Sequence, residues 1–341
     1  MLGKARGFSF ALAVVSIALI LGPVAAFAQN AKVTLLTIND VYEISPKGGL
    51  GGMAELMTLL KKERAANPNT ITTINGDFLS PSVMSGLTKG AQMIDLFNAI
   101  GVDVVSLGNH EFDYGPDVLK ARIAEGKFVW VNSNVLGRDG KPFPGTVRTF
   151  IKQVGDVMVG FFALLTEETT TLSSPGEGIY FNPPMEAAKA AVDVLKTAGA
   201  NVIVAMTHMN IQDDRALART VKGIHVILGG HDHDPITFYE GGVLILKSGA
   251  DSAFLGAIDL DIRSRTANNQ TTTTVIPQWR MTVVTGITPD PDTVPVVAKW
   301  TKLLDDQLGV VIGKTNVELD SRRSTVRADE SNMGNLIADA I

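Results

Sequence analysis

The stretch "VVSLGNHEFDYG", residues 104–115, runs apolar as far as Gly108 and then sets Asn109, His110, Glu111 and Asp113 at its end. An amide, an imidazole and two carboxylates at the mouth of a core ask for more than a turn. Outward from this stretch, apolar runs of strand length alternate with helical patterns. "KVTLLTIND" (32–40) reads as a strand, "GGMAELMTLLKKERAA" (51–66) as an amphipathic helix, "TITTINGD" (70–77) as a strand and "AQMIDLFNAIG" (91–101) as a helix. Beyond the quoted stretch come a helix at "PDVLKARIAEG", strands at "FVWVNSNV" and "DVMVGFFALL", a helix at "MEAAKAAVDVLKTAG", and strands at "NVIVAMTHM" and "GIHVILGGHDHD". Buried strands alternating with helices predict an α/β core. From Gly241 onward, "GVLILKSGA", "LGAIDLDI" and "TTTTVIPQWRMTVV" predict strands with little helix between them, an antiparallel part of the sheet system.

The strand ends share their chemistry. They deliver Asp40, then Asp77, then Asn109, His110 and Asp113, then His208, then His231, Asp232, His233 and Asp234. Four of the five histidines lie in these tips, and ligands of open α/β sheets bind beyond the carboxyl ends of strands. Taken singly, a strand-end Asp is a turn or helix cap, and His208 a hydrogen-bonded core histidine. Five consecutive tips carrying imidazoles and carboxylates suit divalent metals instead. "HDH" in an extended segment would point both imidazoles to one side, and Gly229 with Gly230 would let the chain turn sharply before them. One carboxylate such as Asp77 could bridge two ions about 3.5–4 Å apart. His225, without polar company, reads as structural. The segments "GVVIGKT" (309–315) and "GGLGG" (48–52) mimic phosphate and dinucleotide loops but lack the spacing, and read as turns.

The 341 residues allow one large domain or two ordinary ones, and a net charge of −5 advertises no basic face for a nucleic-acid polymer. Positive charge for an anionic substrate must then be local, and metal ions supply it. The absence of cysteine excludes disulfides, thiolate metal sites and cysteine nucleophiles. Lys4 and Arg6, an apolar run from Phe8 to Leu21, and small residues at Ala26 and Ala28 predict a signal peptide over residues 1–28. The mature chain would be exported, periplasmic or extracellular, with no membrane association after cleavage. An uncleaved anchor is the alternative, with Pro23 interrupting its apolar run. The Pro-rich "TPDPDTVPVV" reads as a linker followed by a helix, "VAKWTKLLDDQL". The last helical pattern ends at "DAI" without a cap, which predicts a chain cut short.

The ordered set "ND", "NGD", "GNHEFDYG", "MTHM" and "GGHDHD" resembles the calcineurin-like metallophosphoesterases, and within them the 5′-nucleotidase and UDP-sugar hydrolase branch. The resemblance covers about residues 32–285. It implies an α/β/β/α sandwich with the metal site at the strand C-terminal ends, plus the start of a second domain. Residues 286–310 would be the linker and bridging helix, and 311–341 the truncated start of the branch's carboxy-terminal domain. Two divalent ions (manganese, zinc or iron) are implied. Asp40 and His233 would bind one, Asp77 would bridge both, and Asn109, His208 and His231 would complete the second. His110, catalytic, would face the phosphate of a small-molecule ester beside Asn109, and Asp113 would orient it and raise its pKa by its charge. The same carboxylate could also cap a helix starting at Asp113 or Pro116. Nucleotides, cyclic nucleotides or UDP-sugars would be hydrolysed by metal-activated water.

One position departs from the family's Asp-x-His: the chain has Asp40-Val41-Tyr42. Three readings compete. Tyr42 ligates as a phenolate, favouring a hard ion such as ferric iron. It leaves the position to water or Glu43. Or the site is lost, and the protein binds without turnover. A related branch hydrolyses sulfur-linked groups and stays open on these residues. Arg322, Arg323 and Arg327 either contact phosphate or are simply solvated.

Overall fold

A computed structural model describes residues 27–267 and 270–341. Residues 1–26, most of the expected signal peptide, lie outside the described residues. The strands in chain order are β1 (Phe27–Ile38), β2 (Thr70–Asn75), β3 (Val104–Ser106), β4 (Val129–Val131), β5 (Val135–Leu136), β6 (Thr149–Val154) and β7 (Val157–Leu165). They continue with β8 (Tyr180–Phe181), β9 (Val202–His208), β10 (Val226–Gly229), β11 (Pro235–Glu240), β12 (Val243–Ser248), β13 (Phe254–Ala267) and β14 (Gln270–Val283). The helices are α1 (Met53–Ala66), α2 (Val83–Thr88), α3 (Ala91–Ile100), α4 (Gly115–Glu125), α5 (Thr169–Leu172), α6 (Pro184–Thr197), α7 (Ile211–Thr220), α8 (Val294–Leu308), α9 (Arg323–Val326) and α10 (Asn332–Ala340).

Two six-stranded sheets result, ordered β14-β13-β1-β2-β3-β4 and β11-β12-β10-β9-β7-β6. Strands β1 to β4 are mutually parallel, as are β7, β9, β10 and β12. Antiparallel partners close the edges: β13 and β14 beyond β1, β11 beyond β12, and β6 beyond β7. Side-chain parity explains the stacking. On β1, Val33 and Leu35 point between the sheets, where they meet Phe161, Val204 and Leu246, while Leu36 and Ile38 join Leu56, Met93 and Phe97 of the helices. On β9, Val204 and Met206 point inward while Ile203 and Ala205 meet Ala188, Leu195 and Leu217 of α6 and α7. Strands covered on both faces must be apolar on both, and this yields four layers, α/β/β/α.

Within 286–310, α8 lies on the first helical layer, with Val296, Val297, Trp300 and Leu304 packed against that core and Lys299 and Trp300 both bonded to Asp95. The segment 48–52 holds the expected turn, closed by Lys47 and Leu50, whereas 309–315, also expected to turn, has no regular structure. Among the described residues, no helix is long and apolar enough to cross a membrane.

Candidate metal centre

The parallel strands of both sheets end on one side of the sandwich, and the two sheets meet there. His208, last residue of β9, turns its Nδ1 to the carbonyl oxygen of Asn75 at the end of β2, 2.9 Å away. That fixes the ring and aims Nε2 at Asp77 Oδ2 (3.0 Å) and Asp40 Oδ1 (3.9 Å). Asp40, Asp77 and His208 are all buried, and each offers a ligand atom within 4.8 Å of the others. His233 Nε2 stands 3.3 Å from Asp40 Oδ1, and the His231 ring lies edge-on to His208 with centroids 5.2 Å apart. Asn109 is buried and its Oδ1 has no hydrogen-bond partner. The six residues expected to ligate are thus brought to one end of the fold from five strand tips.

Backbone strain gathers here. Of the seven non-glycine residues in the left-handed region among the described residues, four are Asp40, Asp77, His231 and His233, and a fifth, Asp251, donates its N–H to the Asp40 carbonyl. Such conformations cost on the order of 1 kcal/mol each and persist where the surroundings impose them. The "HDH" segment is therefore a turn, not the extended segment expected. The two imidazoles do not share a side by alternation: His231 faces His208, and His233 faces Asp40 and Tyr42. Gly229 and Gly230 are not the residues that turn. Gly230 is required by closeness, since a Cβ there would meet the Asn75 carbonyl oxygen at 2.4 Å and His208 Nδ1 at 2.7 Å.

The "GNHEFD" segment is a short 3-10 turn, Asn109–Phe112, after β3. His110 donates its backbone N–H to Asp77 Oδ1 (2.8 Å), and its Nδ1 pairs with Asp113 Oδ2 at 2.7 Å. Asp113 also accepts from Ser173 Oγ (2.7 Å). Burial lowers the pKa of His110, but the bond to Asp113 and the charges of Asp77, Asp113 and Glu111 outweigh it and hold the imidazole above its ordinary value. Asp113 does not cap α4, whose first turn starts at Gly115 and Pro116 without a side-chain cap. Its carboxylate is engaged by His110 and Ser173 instead.

The second carboxylate of the stretch has a different task. Glu111 is buried and accepts the backbone N–H groups of Asp77 (2.8 Å), Phe78 (2.8 Å), Leu79 (3.1 Å) and Gly108 (2.5 Å), tying the β2 tip to the β3 tip. Burial first, then the charge of Asp77, push it up to about 7, against the N–H donors of Phe78, Asp77 and Gly108. Asn39 does similar work for Asp40: its amide oxygen accepts from the backbone of Ser248 (2.7 Å), and its Nδ2 donates to Asp40 Oδ2 and to the Gly249 carbonyl. Asp251 Oδ1 accepts from the N–H of Tyr42 and of Glu43. Sequence reading assigned none of these roles. Partners up to 210 residues apart leave no local trace, although the "ND" pair at the β1 tip was in view.

Does this donor set fit a cation? Two buried carboxylates, Asp40 and Asp77, have no Lys or Arg partner among the described residues, only histidines. Burial would lower the pKa of His208, yet the charges of Asp77 and Asp40 push it up to about 10, so a proton stands where positive charge is needed. Burial would raise Asp40, and His208 and His233 hold it below its ordinary value. Asn109 Oδ1, buried and without a hydrogen-bond partner, is what a cation would satisfy, and His208 Nε2, whose one near neighbour is the Asp77 carboxylate, would turn to the cation once its proton is displaced. Oxygen and imidazole donors of this kind suit zinc, manganese or iron. Tyr42 falls inside the set: its hydroxyl is 2.9 Å from His233 Nε2, 3.2 Å from Asp40 Oδ1 and 3.5 Å from Asp77 Oδ2. Burial and the two carboxylates raise the phenol's pKa strongly, so it is protonated in the metal-free protein.

The family model for calcineurin-like phosphoesterases matches residues 33–235. Human 5′-nucleotidase is 29% identical over 346 residues, covering 91% of this chain and 59% of that protein. The trifunctional nucleotide phosphoesterase protein YfkN of Bacillus subtilis (strain 168) is 27% identical over 348 residues, covering 90% of this chain and 23% of that protein. The solved 5′-nucleotidase precursor from Thermus thermophilus superposes with a TM-score of 0.75 at 25% identity, covering 91% of this chain and 66% of that one. The chain thus spans about three-fifths of the length of the 5′-nucleotidases it matches. On the family match over most of the sandwich, the chain belongs to the calcineurin-like phosphoesterases, in their 5′-nucleotidase branch.

Proposed function

We propose that this chain is the catalytic part of an exported, metal-dependent phosphoric ester hydrolase acting on nucleotides, 5′-nucleotides first. The observation that carries the reading is the convergence of Asp40, Asp77 and His208 beside the unpartnered Asn109 Oδ1. In this reading Asp40, His233 and Tyr42 would hold one divalent ion and Asn109, His208 and His231 the other, with Asp77 serving both. When bound, the ions supply charge neutralisation for the phosphate and a water acidified toward neutral pH. His110 binds the phosphate beside Asn109 and protonates the leaving oxygen through Nε2, the ring nitrogen that the bond to Asp113 leaves free. Asp113 fixes the tautomer and keeps the proton available. Tyr42 takes the place of the family's histidine, and its hydroxyl position among Asp40, Asp77 and His233 supports ligation over a lost site.

The relatives named 5′-nucleotidase and nucleotide phosphoesterase support the nucleotide as substrate. Residues 32–285 would form the catalytic domain, 286–310 the linker with its bridging helix, and 311–341 the start of a second domain that holds the base or sugar. The basic start, apolar run and small residues of 1–28 support export.

The test is phosphate release from AMP by the full-length protein with manganese, before and after His110→Ala. The expected result is about two ions per chain in both proteins, with a ~10²- to 10⁴-fold loss of rate in the variant. No metal uptake, or hydrolysis unaffected by the substitution, would overturn the reading.

A further inference from the structure

Lys247 is out of place by the parity of its strand. On β12, Val243 and Ile245 face the outer helical layer and pack with Leu217 and Ile227; Lys247, next in that row, is fully buried. Its stem passes over Gly229, where a Cβ would meet Lys247 Cε at 2.7 Å, so the glycine makes room for the lysine. The ammonium ends in a pocket of four oxygens. It bonds to the carbonyls of Met209 (2.6 Å) and Gly230 (2.8 Å), to the carboxylate of Asp232, and it forms an ion contact with Asp214 of α7 at 2.9 Å. Asp214 is as buried as the lysine.

The partners are informative by their neighbours. Met209 follows His208. Gly230 precedes His231. Asp232 lies between His231 and His233. A single buried charge therefore grips the backbone or side chain next to each of the three imidazoles proposed as ligands. Burying a lysine with two carboxylates is costly, and an apolar residue of the same volume would fill the space with no penalty to packing. The left-handed turns at His231 and His233 need something to hold them, and hydrogen bonds from Lys247 to Gly230 and Asp232 brace that turn from below.

We propose that Lys247, with Asp232 and Asp214, is a positioning device for the metal centre: it locks the β9 and β10 tips so that His208, His231 and His233 present their nitrogens in binding geometry, and so sets cation affinity. This rests on the reading of those imidazoles as ligands. Groups that orient metal ligands typically change affinity 10- to 100-fold when removed.

The experiment titrates manganese into metal-free full-length protein and compares wild type, Asp232→Asn and Lys247→Met, with the melting temperature of each metal-free protein as the folding control. Asp232→Asn keeps the size of the side chain and leaves Lys247 paired with Asp214, so it decides the matter if Lys247→Met does not fold. The expected result is a manganese dissociation constant raised about 10- to 100-fold in Asp232→Asn, at a metal-free melting temperature close to wild type. Wild-type affinity in Asp232→Asn overturns the proposal. So does an affinity loss that merely follows a fall in metal-free melting temperature. If wild type itself takes up no manganese, the metal-centre reading falls first, and the device with it.

Discussion

Gly108→Ala is the sharpest perturbation this site offers. Gly108 has an ordinary backbone (φ −112°, ψ 179°), so alanine meets no conformational penalty there. What it meets is the neighbouring tip: the new methyl would lie 2.1 Å from Asp77 Oδ1 and 2.5 Å from Asp77 N. Carbon and its neighbours rest ~3.5 Å apart at van der Waals contact, so the carboxylate must retreat by about 1 Å or more. Overpacking of this kind costs ~1–3 kcal/mol, a fall of about 5 °C in melting temperature for a domain of this size. The larger effect is chemical. Asp77 is the proposed bridge, and a misplacement of about 1 Å lowers turnover on the order of 100-fold. The assay is manganese content by mass spectrometry together with AMP hydrolysis. Gly115→Ala is the control. Its φ of +80° strains an alanine, but nothing beyond its chain neighbours and its own helix backbone lies within 4 Å of the new methyl, so stability should fall while metal content holds. Gly108→Ala with wild-type turnover and metal content would refute the placement of Asp77.

Two further outcomes follow from the titratable groups. Asp113 helps hold the pKa of His110 up, so Asp113→Asn lowers it; because the leaving oxygen needs protonated His110, the alkaline fall of kcat/KM for AMP should move to lower pH. With p-nitrophenyl phosphate, whose leaving group needs no proton, the shift should shrink, and equal shifts with both substrates would remove His110 from the acid role. His208 is pushed up to about 10 in the metal-free protein and so carries a proton at pH 7.5, which a cation must displace. Manganese uptake in weak buffer should release about one proton per chain from this residue. Release that persists undiminished in His208→Ala would show that the proton comes from elsewhere.

The α/β core was legible because its central strands are covered on both faces and so read as continuous apolar runs, whereas the four-layer arrangement came only with the family resemblance. What escaped notice lies at the edges. Strand β6, "TFIKQV", is half-buried except at the exposed Gln153, and β11, "PITFYE", opens on a proline and faces solvent along much of its length. Helix α7 has only Asp214, Leu217 and Ala218 buried, too few for a visible apolar stripe. At the site, residue types at strand tips announced metal chemistry, since the fold brings the tips of its parallel strands to one end. The bracing was invisible: Glu111, Asn39 and Lys247 act on partners that only the folded chain brings near. The departure at Tyr42 was legible, and its hydroxyl position among three site residues was not.

The candidate ligands are divided between the two sheets. Asp40, Asp77 and Asn109 follow strands of one, His208, His231 and His233 strands of the other. Cations shared between them would act as a rivet through the sandwich, so catalysis and architecture would draw on the same bonds. A ligand present at 1,000 times its dissociation constant adds ~4 kcal/mol to stability. Chelation should therefore loosen the layers at this end first, and the amides of the β2 and β9 tips should exchange with solvent sooner than those at the opposite end of the same strands.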